Sequence, residues 1–116
     1  MVDASLLASF MDSLKNPFLF ADTQHVIRYM NKAAIAHYDD GANLIGRSLL
    51  DCHNPDSCRM IIEILSAMQQ DGLDERLITD NEKYRIYMRA VRGEAGTLLG
   101  YYERYEPPKD ERARQS

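Results

Sequence analysis

The sequence predicts an α+β domain, in which a helical middle lies between a β-hairpin and a three-stranded antiparallel meander, with one more helix at the N-terminus. Three observations carry this. Apolar residues recur at helical spacing over 6–14 and 58–68; side chains sort by period two over 84–90; polar turn groups (DTQH, DNEK, RGEAG) separate the strand runs. A chain of 116 residues makes one domain, and at 45% hydrophobic it can bury a core without disulfides or metal. A net charge of −4 offers no basic stripe, so nucleic acid is excluded as a partner. Two cysteines make no disulfide framework. The start, MVDASLLASF, lacks the basic and apolar regions of a signal peptide. No apolar run approaches the roughly 20 residues that span a bilayer. The expectation is a soluble, reduced, cytoplasmic domain with no membrane partner.

Taken in order, Asp3 or Ser5 caps a first helix carrying Leu6, Leu7, Phe10, Met11 and Leu14, and Asn16-Pro17 stops it because the residue before proline leaves the α region. Residues 17–22 and 26–30 form two strands around the turn DTQH. Asn31 caps the short helix KAAIAHY, and Ser48 caps a turn at Leu49 and Leu50. The stretch LLDCHNPDSCRMIIEIL is the chemically suggestive one, with Cys52, His53, Asp56 and Cys58 close together. Most of it reads as the start of a helix: Asn54 is a favoured cap, Pro55 suits the first helical position, and Asp56 complements the positive helix end. Cys58, Ile61, Ile62, Leu65 and Met68 then share one face, and Gly72 closes the helix. Strands follow at 73–79, 84–92 and 97–105. Tyr84, Ile86, Met88 and Ala90 face one way, and Arg85, Tyr87 and Arg89 the other. The organisation is a flanking helix at 1–16, a domain body at 17–106, and a frayed, charged tail at 107–116.

That order resembles the Per-Arnt-Sim (PAS) domain. FADTQHVIRYMNKAA is similar to the family's opening strand, Asp-led turn, strand and Asn-capped helix; LIGRSLLD and MRAVRGEAGTLLGYYE are similar to its middle segment and closing hairpin. Cys52, His53, Pro55 and Ser57 further resemble a Cys-His-Pro-Pro-x-Ser segment of bacterial and archaeal PAS domains often fused to hemerythrin-like domains, with Asn54 in place of the first proline. Ile27, Arg28, Tyr29 and Asn31 resemble the same subgroup's second strand, with Met30 where it has an aromatic. The resemblance implies a five-stranded antiparallel sheet that cups a small ligand against central helices. It implies a sensory, dimerising module and not an enzyme, signalling in trans to a partner protein.

It also implies a ligand-lining set of Arg28, Met30, Tyr38, His53, Ile61 and Met88. Strand alternation puts Arg28 on one face with Met30, and the resemblance implies that this face points to the cavity, where a guanidinium wants a carboxylate. That carboxylate is either a bound anion or an internal partner such as Asp51, Glu63 or Glu75. His53 either packs beside the helix start or, as in haem-binding PAS proteins, serves as an axial ligand; no cofactor is the first expectation and haem the alternative. Zinc lacks a fourth ligand beside Cys52, His53 and Cys58. His25 and His37 are read as facing solvent. The homodimer contact is assigned to Leu6, Leu7, Phe10, Met11, Leu14, Phe18 and Phe20. The rival fold is a small enzyme on a cone-shaped α+β scaffold. The interior candidates (Leu19, Ala21, Leu50, Ile61, Ile64, Ile86, Met88) supply hardly any acid/base pair for it.

Overall fold

In the computed structural model, which describes residues 3–109, Asp3 opens the first helix by accepting a hydrogen bond from the Leu6 N–H at 2.8 Å. Helix α1 (Ala4–Asp12) ends sooner than Asn16-Pro17 requires, so Leu14 follows the helix instead of extending its stripe. Strands β1 (Phe18–Asp22) and β2 (Ile27–Met30) form the first hairpin. Helix α2 (Lys32–His37), two 3-10 turns (Gly41–Leu44 and Leu49–Cys52) and helix α3 (Pro55–Gln70) make up the helical middle. Strands β3 (Glu75–Asp80), β4 (Arg85–Arg92) and β5 (Leu98–Glu106) complete one five-stranded antiparallel sheet in the order β2-β1-β5-β4-β3. The two predicted strand groups therefore meet, with β5 beside β1. The expected tail at 107–116 lies outside the described residues from 110 onward.

The core lies between the inner sheet face and the middle helices. Leu19, Ala21, Ile27, Met30, Met88 and Tyr101 from the sheet pack with Leu49, Ile61, Ile64, Leu65 and Met68. On α3 the buried residues are Ile61, Ile64, Leu65 and Met68, at i, i+3, i+4 and i+7, whereas Ile62 is 49% exposed. The buried stripe runs from Ile64 to Leu65 over roughly 100° of helix, and Ile62 lies about 60° beyond its Leu65 edge. Asn54 caps α3 as expected, its Oδ1 accepting from the Ser57 N–H at 2.8 Å. Asn54→Ala should cost about 1 kcal/mol in urea unfolding, since that amide is exposed and water can replace the cap.

One irregularity resets β2. Phe20 pairs with Tyr29 and Ala21 with Ile27, so Arg28 is the extra residue of a β-bulge. A bulge breaks the two-residue alternation, and both Ile27 and Met30 point inward. At the far side of β1, Gly100 has φ +155°, and a Cβ there would lie 2.1 Å from the Ala21 carbonyl oxygen. Only glycine lets β5 approach β1 this closely.

Candidate functional site

Along β5 the buried side chains beyond Gly100 are Tyr101, Glu103 and Tyr105, with Tyr102 and Arg104 on the outer face. Glu103 sits in register between Leu19 of β1 and Met88 of β4, in the middle of the inner face. It is 1% exposed, and its Oε1 has no hydrogen-bond partner among the described residues. Burial alone pushes its carboxyl up to about 7, because a carboxylate is poorly solvated there.

Three tyrosines surround it, and each hydroxyl is engaged elsewhere. Tyr101, fully buried, bonds His25 Nδ1 at 2.7 Å, and the Tyr38 and Tyr105 hydroxyls bond one another. Burial raises the Tyr38 and Tyr101 hydroxyls far above their ordinary range, and the Glu103 charge adds to the shift in both. Burial also raises Tyr105, with its bond to Tyr38 opposing and Glu103 adding. Tyr38 and Cys52 line a cleft of about 320 Å³ with Asp39, Leu44, Arg47 and Asp51. Burial raises the Cys52 thiol, Asp51 and Glu103 add to that, and Arg47 opposes it. The cleft therefore opens within electrostatic reach of the buried carboxyl.

Of the sequence-based ligand set, Met30, Ile61 and Met88 join the buried cluster, and Tyr38 packs against it. Arg28 does not. The bulge turns it outward, where its side chain is 61% exposed and its Nε meets Asp22 Oδ2 at 2.8 Å. Its expected partners are otherwise placed: Glu75 holds Arg104 and Arg89 on the outer face. His53 is half-buried at the end of the second 3-10 turn and donates Nδ1–H to the Leu49 carbonyl at 3.0 Å. It does not line the Tyr38 cleft. The Cys58 thiol donates to the Leu50 carbonyl at 3.1 Å and reaches the His53 carbonyl at 3.5 Å. Among the described residues no group of three or more His, Cys, Asp or Glu is placed to hold a metal ion.

His25 also differs from expectation. It adopts φ 66°, is half-buried, and its ring meets Tyr101 edge-on at 5.7 Å between centroids. Burial lowers its pKa, with Asp22 opposing. His37 is exposed as expected, its ring edge-on to Tyr105 at 4.8 Å.

Glu103 escaped the sequence reading. A signal existed: in GYYERY the glutamate shares a face with two tyrosines, so either it or they had to be buried against type.

Residues 7–106 match the sequence profile of the PAS domain family. No curated protein matches the chain. Among solved structures, a C-terminal domain from Streptococcus mutans superimposes with a TM-score of 0.79 at 16% identity, covering 97% of this chain and 90% of that one. The PAS domain of BvgS from Bordetella pertussis gives 0.68 at 16% identity, over 96% and 91% of the two chains. A sensory box sensor histidine kinase from Vibrio cholerae gives 0.62 at 15%, over 88% of each. These structures share the α+β architecture, and no described helix here is long and apolar enough to cross a membrane. With the family profile matching residues 7–106 and the five-stranded α+β fold in agreement, this chain belongs to the PAS domain family.

Proposed function

We propose that the chain is a sensory module that seats a small ligand between the inner sheet face and the helical middle, and passes the signal in trans as a homodimer. The ligand wall is Met30, Tyr38, Ile61 and Met88 with Glu103 at its centre. The observation that carries this is the buried Glu103 Oε1, left without a partner among the described residues and close to Tyr38, which lines the open cleft. A fold built for stability alone pairs such a group or replaces it, since an unpaired buried carboxyl costs several kcal/mol, roughly, when charged. Native mass spectrometry of protein purified from its own host tests the reading. A retained mass, released on denaturation, is the expected result; protein that is empty in every preparation defeats it.

In this proposal residues 1–16 form the flank and 17–106 the body. The dimer contact is α1 with the outer face of β1. Support comes from Leu6, Leu7 and Phe10, which are 57%, 54% and 61% exposed on one short helix. Beside them runs an apolar groove of about 350 Å³, lined by Met11, Phe18, Leu19, Phe20, Tyr29 and Tyr102. Apolar area of this kind is uncommon on a stable monomer, and a two-fold axis covers it with its own copy. The outer face of β3–β5 is ionic by contrast, with Arg104 between Glu75 and Glu106 and 4.4 Å from the Tyr87 ring. Phe10→Asp should weaken association by about tenfold or more, because an apolar ring is replaced by a charge that the contact would have to desolvate. Sedimentation at micromolar concentration measures it. The point change is preferable to deleting α1, because the Met11 carbonyl and the Asp12 carboxyl anchor Asn31 and Tyr29.

A further inference from the structure

Resting on that sensory reading, we propose that the ligand is a small organic cation, an amine or a protonated N–H heterocycle, whose N–H donates to Glu103 after the Tyr38 ring gives way. The sign of the charge comes from what surrounds the carboxyl. Arg28, Arg85, Arg89, Arg92 and Arg104 are held by Asp22, Glu106, Glu75 and Asp74, and Glu103 takes part in none of these pairs. The nearby hydroxyls do not serve it either: Tyr101 bonds His25, Tyr38 bonds Tyr105, and none of the three reaches Glu103 Oε1. An acceptor in the middle of the core is therefore left for a donor from outside. Arg28, the basic residue whose expected inward position would have favoured an anion, lies on the opposite face.

The surroundings suit a cation in two further ways. Tyr101 and Tyr105 flank Glu103 on the inner face of β5 and Tyr38 bonds Tyr105, so aromatic residues neighbour the carboxyl, and aromatic rings attract ammonium and related cations. The cleft leading in carries Asp39 and Asp51 against one Arg47, so positive ligands are enriched at its mouth. Its volume of about 320 Å³ suits a molecule of one ring with a short side chain. Tyr38 is the piece that must move. It lies just past the end of α2, ahead of Asp40 at φ 57°, and its hydroxyl bond to Tyr105 is the tie to be broken.

The test is calorimetric titration of the full chain with benzylamine, alongside its near-isosteres benzyl alcohol and benzoate. Benzylamine should bind, and benzoate should not. Benzylamine stays protonated between pH 6 and 8, whereas Glu103 loses its proton there, so its affinity should rise about tenfold across that range in the unaltered protein. Glu103→Gln, close to isosteric, should lower the affinity at pH 8 by about tenfold or more and flatten the profile. Benzylamine binding that is indifferent to both pH and Glu103→Gln overturns the proposal. Benzoate or benzyl alcohol binding in place of benzylamine overturns the cation while the sensory reading stands. If none of the three binds and host-purified protein is also empty, both fall.

Discussion

Asn31→Ala should be among the most destabilising single changes in the domain, lowering the free energy of unfolding by about 4 kcal/mol. The side chain is fully buried and makes four hydrogen bonds. Its Oδ1 accepts from the Ala34 N–H at 2.9 Å, capping α2, and from the Phe18 N–H at 3.0 Å, fixing the start of β1. Its Nδ2 donates to the Met11 and Asn16 carbonyls, both at 3.1 Å, which ties the end of α1 and the following loop to the same point. Alanine strands two donors and two acceptors in part-buried or buried positions, and each stranded group costs about 1–3 kcal/mol, not fully additively. Asn31→Asp separates cap from hub. It keeps both accepted bonds but turns an oxygen toward two carbonyls, so it should also be strongly destabilising. Urea unfolding of both variants checks this; a loss in Asn31→Ala near that of Asn54→Ala, with Asn31→Asp close to the unaltered protein, would show that the cap alone matters.

The comparison of Asn31 with Asn54 shows what the sequence carries and what it does not. Both read as helix caps, and both are. The preference for asparagine at a cap is local, so the sequence expresses it. The burial of Asn31 depends on α1 and β1 closing over it, and no local pattern contains that. The same division holds along the chain. The five strands, the α3 start and the inward face of β4 rest on turn chemistry and periodicity, and they are where the sequence places them. Arg28 went astray because one bulged residue shifts alternation by a full face, and a bulge is decided by how β2 meets β1. Of the candidate site, Met30, Tyr38, Ile61 and Met88 were legible through the family resemblance, and they lie in or against the core cluster. Glu103 was not, because charge normally marks a solvated face, and its burial follows from β5 taking the central place between β1 and β4. His25 was missed for a related reason: its partner Tyr101 is 76 residues away. Local rules fail where burial is decided by segments distant in the chain.

Glu103→Gln should make the domain more stable at pH 8 than the unaltered protein, relative to their difference at pH 5, by on the order of 3 kcal/mol. The sign follows from the direction of the shift. The ordinary value of the carboxyl is 4.5, and burial raises it to about 7 in the folded chain. A raised acid binds its proton more tightly when folded, so the stability tied to that proton is fully present below pH 4.5. It is lost progressively as pH rises through the interval to about 7, above which folding must bury a carboxylate. Glutamine has the same shape and does not titrate, so its own fixed cost cancels when the two pH values are compared. Other groups tilt the unaltered protein's curve. His25, lowered chiefly by burial, loses stability in the opposite direction, as pH falls through its range. Asp22 is also lowered, its bonds to Arg28, Val26 and Gln24 outweighing burial, the largest single influence; Glu75 is lowered mainly by its bond to Arg104. Both matter only below the usual carboxylate range. All three remain in the variant, so the difference between the two curves isolates Glu103. Urea unfolding at half-unit steps from pH 5 to 8 measures it. Parallel curves would mean that Glu103 keeps an ordinary carboxyl in solution and that water or a partner reaches it. A bound cation reverses the outcome: with benzylamine present in excess, the charged Glu103 gains a partner, and the alkaline loss of stability in the unaltered protein should shrink while the variant stays unchanged.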